Sequence, residues 1–312
     1  MNFVDTDDEL TIRTANDALG SKLSAARLGY YTDEFLELFM RNSHYCPRKP
    51  PIINRGYFAR VECISYTIKK FLEEVHTKFP GAVPQILILG GGYDTKAIHL
   101  LRDCVEGSLH IFEVDFADVV ESKARIITSN MKLLSALIPS SLSRELSRQN
   151  VESIKEDNED GDADADCAST PAINPVESSI ISNHATSKQI STCTSFPSFL
   201  SQSSFKIPSG YKFGNLTIQA IDIRHGDLLV EKLMSASFDI SSPTLVITEC
   251  VMLYMPQAEV LDVIGRLGKK LLHAAWVSYD MFNPNDAFGK MMLNNLRMAG
   301  HQGKRQSMSL VK

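Results

Sequence analysis

The stretch QILILGGGYD, residues 85–94, decides the fold. Its first half is a short, unbroken apolar run, which is typical of a strand buried on both faces of a parallel sheet. Three glycines follow at once, and we predict a helix behind them from about Thr95 to Arg102. Such a glycine-rich turn lets the backbone approach a nucleotide closely. The spacing is GGGYD and not GxGxxG, so the turn alone is a weak indication of a nucleotide site.

The alternation of strand and helix continues on both sides of this stretch. We predict further strands at residues 109–114, 216–221, 244–248 and 274–279, and helices over 16–40 (with a break near Gly29), 62–75, 257–272 and 286–298. The alternation predicts an α/β fold with a doubly wound, mostly parallel sheet and helices on both faces. Ligands of such sheets bind at the carboxyl ends of the strands. Three predicted strands end there in an acid, namely Asp115, Asp222 and Glu249.

Composition and charge restrict the class of protein. The chain has 312 residues and a net charge of −5, which excludes a whole-protein basic surface for nucleic acid. Its six cysteines are scattered without a CxxC pair, so we expect reduced thiols and no metal site. The acidic start MNFVDTDDEL has no signal-peptide core, and no run is apolar for the ~18 residues of a membrane span. We therefore expect a soluble, cytoplasmic protein without a membrane partner.

The chain divides into parts of different composition. Residues 1–15 are predicted to be a flexible, polar lead, and residues 16–142 with 211–302 to form a single domain. Between them, seven of the eleven residues 156–166 are acidic, and 16 of the 43 residues 167–209 are Ser or Thr. Such a segment cannot bury enough apolar surface to offset its ordering entropy. We predict that residues 143–210 are a disordered insertion, and that 303–312 are a divergent tail.

The segment PIINRGYFAR, residues 51–60, combines two arginines with adjacent aromatic residues just before a helical pattern. We interpret it as an elbow at the rim of the site that supplies positive charge to hold an anion. Arg55 is interpreted as a brace of this elbow. Asp94 and Asp118 are interpreted as acids at helix N-termini or on the surface.

Several longer motifs resemble the leucine carboxyl methyltransferase family. They are TANDALGSKLSAARLGYYTDEFLELFM (14–40), RKPPIINRGYFAR (48–60), ILGGGYDT (88–95), FEVDF (112–116), AIDIR (220–224), TECVMLYM (248–255) and NPNDAFGKMMLNNLRMAGH (283–301). The resemblance covers about residues 14–130 and 211–301. It implies a class I methyltransferase fold with S-adenosyl-L-methionine as the methyl donor. The implied acceptor is the C-terminal leucine carboxylate of type 2A protein phosphatase catalytic subunits.

The same resemblance implies roles for individual residues. Lys22 and Arg60 would bind carboxylate groups of cofactor and acceptor, and Tyr254 would help position the acceptor. Gly90 would contact the methionine part of the cofactor, and Asp115 its ribose. Asp222 with the backbone of Ile223 would bind the adenine. Glu249 would face the donor near its charged end.

Two other functions stay open at this point. One is the related methyltransferase of the tRNA wybutosine pathway, which the net charge of −5 disfavours. The other is a non-catalytic protein of the same fold, because the motifs end at His301 and the family's last two strands are expected to be missing. That departure also predicts an unprotected edge at the fifth strand. We expect a monomer without a nucleic-acid partner.

Overall fold

A computed structural model describes residues 7–40, 46–138, 205–280 and 285–298. Seven strands form one sheet: β1 (Gln85–Leu89), β2 (His110–Asp115), β3 (Lys206–Ile207), β4 (Gly210–Phe213), β5 (Leu216–Ala220), β6 (Thr244–Glu249) and β7 (Ala274–Tyr279). Nine α-helices accompany them in the described ranges: α1 (Asp7–Arg27), α2 (Leu36–Phe39), α3 (Pro51–Lys78), α4 (Lys96–Asp103), α5 (Ala117–Thr128), α6 (Met131–Leu137), α7 (Gly226–Ser235), α8 (Gln257–Lys270) and α9 (Ala287–Met298).

The sheet has the order β3-β4-β5-β2-β1-β6-β7. The five strands predicted from the sequence are its parallel part, with β1 paired to β2 on one side and to β6 on the other. Strands β2 to β5 therefore lie on one side of β1, and β6 and β7, which follow later in the chain, lie on its other side. This reversal beside β1 is a topological switch point, where α/β sheets bind their ligands.

Helices cover both faces because the central strands are apolar on both sides. Ile86 and Ile88 of β1 belong to a core beneath the layer of α1 to α6. Leu87 and Leu89 belong to a second core beneath α7 and α8. All five residues of β1 are buried, as the unbroken apolar run predicts. The α/β class with a mostly parallel sheet is thus confirmed.

Three predicted boundaries need correction. Helix α1 begins at Asp7, so residues 7–15 are helical and not a flexible lead. Helix α3 begins at Pro51, so PIINRGYFAR is its first turns and not an elbow that precedes the helix. Proline is well suited to this first position because its missing N–H has no helical partner there.

The third correction concerns the predicted insertion 143–210. Lys206–Ile207 pairs antiparallel with the start of β4, and β4 pairs antiparallel with β5. The last residues of the predicted segment are therefore part of the sheet. Its residues 143–204, like the predicted tail 303–312, lie outside the described ranges. At the opposite side, β7 pairs only with β6 among the described residues, so it forms an edge of the sheet.

Candidate active site

A cavity of about 920 Å³ lies at the carboxyl ends of the parallel strands. Its volume is within the range of ~300–1,000 Å³ of small-molecule sites. The structure brings all eight residues that the sequence nominated to its wall: Lys22, Arg60, Gly90, Asp115, Asp222, Ile223, Glu249 and Tyr254. They come from α1, α3 and the ends of β1, β2, β5 and β6, so the sheet topology assembles one site from distant parts of the chain.

The glycine turn after β1 forms the floor beside Asp115. Gly90 has a φ of 71°, a left-handed conformation that favours glycine, and a Cβ placed on it would lie 2.4 Å from Val251 Cγ2. The Asp115 carboxylate accepts hydrogen bonds from Gly92 N at 2.6 Å and from Phe116 N at 2.8 Å. Each of its oxygens keeps a second lone pair, which a ribose hydroxyl could donate to.

A buried ion pair supports this turn from below. Lys123 Nζ lies 2.6 Å from Glu113 Oε2, and both side chains are only 1% exposed. Lys123 Nζ also donates to the backbone oxygen of Asp94 at 2.8 Å. A Cβ on Gly91 would come within 3.2 Å of the Glu113 side chain, so the turn packs directly on the pair. Helix α5 thereby fixes the height of the turn above the sheet.

Asp222 and Ile223 mark the end of the cavity beside β5. The Asp222 carboxylate accepts hydrogen bonds from Arg224 N and Nε at 3.0 and 2.9 Å. Arg224 also donates to both carboxylate oxygens of Asp8, at 2.9 and 3.0 Å. Burial alone would raise the pKa of Asp222, but Arg224 outweighs it and the pKa is lowered. The ion pair of Asp8 with Arg224 ties the first turn of α1 to this end.

Five charged side chains form a cluster at the opposite end of the cavity, and we call it the ion cluster: Lys22, Arg60, Asp94, Lys96 and Glu249. Arg60 Nε donates to Glu249 Oε2 at 2.7 Å, and its Nη2 donates to the Glu249 backbone oxygen at 3.1 Å. Cys250 has a left-handed φ of 55°, which turns the chain sharply after Glu249. The Arg60 guanidinium also lies 5.5 Å from the centre of the Tyr57 ring.

Lys22 joins the two acids of the ion cluster. Its Nζ donates to Asp94 Oδ2 and lies 3.7 Å from Glu249 Oε2, with a side chain only 7% exposed. Asp94 Oδ1 accepts from the backbone N of Lys96 at 2.7 Å, at the start of α4. This hydrogen bond agrees with the first of the two interpretations of Asp94, an acid at a helix N-terminus. With three cations and two anions, the cluster carries one net positive charge.

The pKa values follow from burial and from this pairing. Burial by itself would raise the pKa of Glu249, but Lys22 and Lys96 outweigh it and lower the pKa to about 2. Burial would lower the pKa of Arg60, but the Glu249 carboxylate more than compensates and raises it. For Asp115 the burial dominates, and the pKa is raised despite the hydrogen bonds from Gly92 and Phe116.

Sequence reasoning missed Lys96, and it did not foresee the ion pairs of Asp94. Lys96 follows the ILGGGYDT motif directly, at the start of the helix behind the glycine turn. Residues at that position face the carboxyl edge of the sheet, and this is the signal that could have indicated it. Tyr254 lies in a 3₁₀ turn, Met252–Tyr254, at the wall of the cavity.

Three potential metal ligands also converge away from the cavity, although the sequence predicted none. They are Asp33, Glu34 and His99. Each already has a protein partner: Asp33 Oδ2 accepts from the Thr95 hydroxyl at 2.6 Å, and Glu34 Oε1 pairs with Arg102. His99 Nε2 lies 2.9 Å from Asp33 Oδ1. These hydrogen bonds account for the arrangement without an ion.

A family model described as leucine carboxyl methyltransferase matches residues 2–268 of this chain. The chain belongs to the leucine carboxyl methyltransferase family. It is 26% identical over 287 residues to the leucine carboxyl methyltransferase 1 homolog of Arabidopsis thaliana, covering 92% of this chain and 66% of that protein. It is 28% identical over 295 residues to leucine carboxyl methyltransferase 1 of Rattus norvegicus, covering 94% and 68%.

A relative with another name matches the chain almost as well. The tRNA wybutosine-synthesizing protein 4 of Rattus norvegicus is 26% identical over 288 residues, covering 92% of this chain and 33% of that protein. The chain thus spans about two thirds of the length of the first two relatives and one third of this one. Membership of the leucine carboxyl methyltransferase family does not by itself distinguish the acceptors of these relatives.

Methyltransferases of this family use S-adenosyl-L-methionine. The cavity suits the chemistry of that cofactor. The Asp115 and Asp222 carboxylates at its wall could accept hydrogen bonds from the hydroxyl and amino groups of an adenosine. The Glu249 carboxylate could pair with the positive groups of the methionine part, and Lys22 and Arg60 could pair with its carboxylate. None of the helices in the described part combines the length and hydropathy that a bilayer span requires.

Proposed function

We propose that this protein transfers a methyl group to the C-terminal leucine carboxylate of type 2A protein phosphatase catalytic subunits, giving a methyl ester. Family membership supports carboxyl methylation, and the resemblance of the motifs supports the phosphatase acceptor. The observation that carries the proposal is the ion cluster at the wall of the cavity. Its net positive charge suits an anionic acceptor, and its two cavity-lining cations, Lys22 and Arg60, can hold one.

The acceptor chemistry needs positioning more than acid–base catalysis. A C-terminal carboxylate has a pKa near ~3.5 and is already an anion at neutral pH. S-adenosyl-L-methionine, when bound, supplies an activated methyl group. The protein must hold the carboxylate oxygen in line with that group and exclude water. Arg60 and Lys22 each have several N–H donors, so they would bind the acceptor carboxylate beside the carboxylate of the cofactor. Tyr254 would orient the acceptor at the wall.

The position of α1 supports the proposed exclusion of water. Helix α1 covers the glycine turn, with Ala15 next to Gly92, and its first turn is tied by Asp8 to Arg224. Exclusion of water strengthens the electrostatic contacts of Arg60 and Lys22 with a carboxylate. The four cysteines in the described ranges are free, which suits a cytoplasmic location for the proposed enzyme.

The test is a transfer assay with labelled S-adenosyl-L-methionine and the phosphatase catalytic subunit. We expect alkali-labile label on the intact subunit and none on a subunit that lacks its terminal leucine. Arg60→Ala should lower transfer by at least about 30-fold, because truncation of one partner of a buried charge pair costs ~2–5 kcal/mol. Arg55→Ala is the matched control, since Arg55 is exposed on the same helix, and it should keep transfer close to wild type.

The similarity to the wybutosine-synthesizing relative supports a second candidate, which is carboxyl methylation of a modified tRNA base. The same assay with undermodified tRNA distinguishes the two. Label on the tRNA and none on the phosphatase would replace the first proposal by the second. Cofactor binding without transfer to either acceptor would contradict both and favour a binding protein. Full transfer by Arg60→Ala would remove Arg60 from the proposed acceptor site.

A further inference from the structure

Lys96 approaches Glu249 from behind the cavity wall. Its Nζ donates to Glu249 Oε1 and lies 3.3 Å from Asp94 Oδ2. Its side chain is only 10% exposed. Lys22, Arg60, Asp94 and Glu249 all line the cavity, whereas Lys96 is not among the lining residues. Lys96 is therefore the member of the ion cluster that does not line the cavity.

The two oxygens of Glu249 have different partners. Oε1 contacts Lys96, while Oε2 accepts from Arg60 Nε at 2.7 Å and lies 3.7 Å from Lys22 Nζ. Arg60 and Lys22 reach the cavity, so a ligand carboxylate can compete for them with Oε2. Oε1 has no such competition, because its partner lies outside the cavity wall. One oxygen is thus anchored and the other can exchange partners.

We infer that Lys96 is a positioning residue that anchors Glu249 through Oε1, so that Oε2 can accept a cationic group of the cofactor while Arg60 and Lys22 turn to a carboxylate. The inference rests on the proposed cofactor site. The exchange preserves charge balance within the ion cluster. Glu249 gives up contact with Arg60 and gains the ligand's positive group, and Arg60 gains the ligand's carboxylate.

The electrostatics of the ion cluster agree with an anchoring role. The charged groups that face Glu249 are Lys22 from α1, Arg60 from α3, Lys96 from α4, and Asp94 from the turn before α4. Cations hold the pKa of Glu249 far below its usual range, although burial acts in the opposite direction. If Lys96 is replaced by a neutral residue, the burial and the Asp94 charge remain, and they are opposed only by Lys22 and Arg60, which a bound carboxylate would draw away from Glu249. The pKa of Glu249 then rises, and the carboxylate also loses its fixed orientation.

The experiment is isothermal titration of the full chain with S-adenosyl-L-methionine between pH 5.5 and 7.0. Wild type should bind with an affinity that is constant over this range, because Glu249 stays ionised. Lys96→Met should bind about tenfold or more weakly at pH 7.0. Its affinity should fall further toward pH 5.5 as Glu249 takes up a proton. Lys96→Arg, which keeps the charge, should restore a constant affinity.

Two controls separate positioning from general stability. Lys70→Met removes an exposed lysine that pairs with Glu73 on α3, and it should bind like wild type. In a Glu249→Gln background, Lys96→Met should weaken binding by less than twofold, because the anchored group is already gone. A purely structural role would weaken binding equally in both backgrounds. If Lys96→Met does not fold, Lys96→Gln should show the same pH dependence, since it keeps a hydrogen-bond donor but no charge.

The outcomes distinguish this inference from the proposed function. Wild-type binding together with unchanged, pH-independent binding by Lys96→Met overturns the anchoring role and leaves the cofactor site intact. An equal loss of affinity in the wild-type and Glu249→Gln backgrounds also overturns it. If wild type itself does not bind S-adenosyl-L-methionine, the proposed function and the inference both fail.

Discussion

Gly90→Ala tests how closely the side chain of Val251, which follows β6, approaches the glycine turn. Gly90 has a φ of 71°, and an added Cβ would lie 2.4 Å from Val251 Cγ2. The left-handed conformation costs a residue with a Cβ about 1–2 kcal/mol. Overpacking of a closed site costs about 1–3 kcal/mol more. The lower entropy of the unfolded alanine chain offsets ~0.4–1 kcal/mol. We therefore expect the free energy of unfolding to fall by about 1–5 kcal/mol.

Two other glycines allow the two costs to be separated. Gly29 has a φ of 76°, but an added Cβ has no neighbour within 4 Å, so Gly29→Ala should show the conformational cost alone, about 1 kcal/mol. Gly265 lies within helix α8 and has neither the positive φ nor a close neighbour. Gly265→Ala should stabilise the protein by roughly 0.8–1.0 kcal/mol, the difference in helix propensity.

The assay is urea unfolding followed by circular dichroism, with the three variants compared at equal m-values. The difference between Gly90→Ala and Gly29→Ala measures the contact with Val251. A loss for Gly90→Ala no larger than that for Gly29→Ala would refute the close approach of the Val251 segment to the turn. A destabilised Gly265→Ala variant would show that the helix propensity argument does not transfer to this chain.

Two further predictions concern a helix cap and the ion cluster. Asn130 caps α6 by accepting from Lys132 N at 3.0 Å and Leu133 N at 3.3 Å. Asn130→Ala should therefore lower the free energy of unfolding, measured with urea, by about 1 kcal/mol. Asn130→Asp, which keeps a side-chain acceptor, should be as stable as wild type. Equal stability of wild type and both variants would contradict the cap. The lowered pKa of Glu249, from 4.5 to about 2, means that its stabilising effect is complete above pH 4.5 and is lost as the pH falls toward 2. Wild type should lose roughly 3 kcal/mol more between these pH values than Glu249→Gln, and parallel acid-unfolding profiles would count against the ionised cluster.

The parallel strands could be predicted from local sequence patterns, because a strand that is buried on both faces is a nearly continuous apolar run. The run QILIL has no polar residue after Gln85, and a strand between two helix layers requires such a run. The acids Asp115, Asp222 and Glu249 were recognisable because they follow such runs directly. The carboxyl ends of parallel strands lie at one edge of the sheet. The convergence of these three acids on one cavity could therefore be predicted from the sequence.

Patterns failed where tertiary contacts decide the local structure. The first turns of α1 carry few apolar residues, and their helix is supported by contacts from Asp8 to Arg224 and from Ala15 to Gly92. A short hairpin such as β3 and β4 has too few residues for a recognisable period, and its pairing with β5 is what orders it. Propensity is a weak signal in both places, and packing overrides it.

The sequence by itself determined the class of fold, the edge of the sheet that carries the site, and the family. Only the tertiary structure decided how the charges are paired. Arg60 and Glu249 are 189 residues apart in the chain, and Lys96 and Glu249 are 153 apart. The period of a helix or strand reports which face of an element is buried, but it holds no information about which distant side chain meets that face. The pairing within the ion cluster therefore depends on the packing of α1, α3 and α4 around the end of β6.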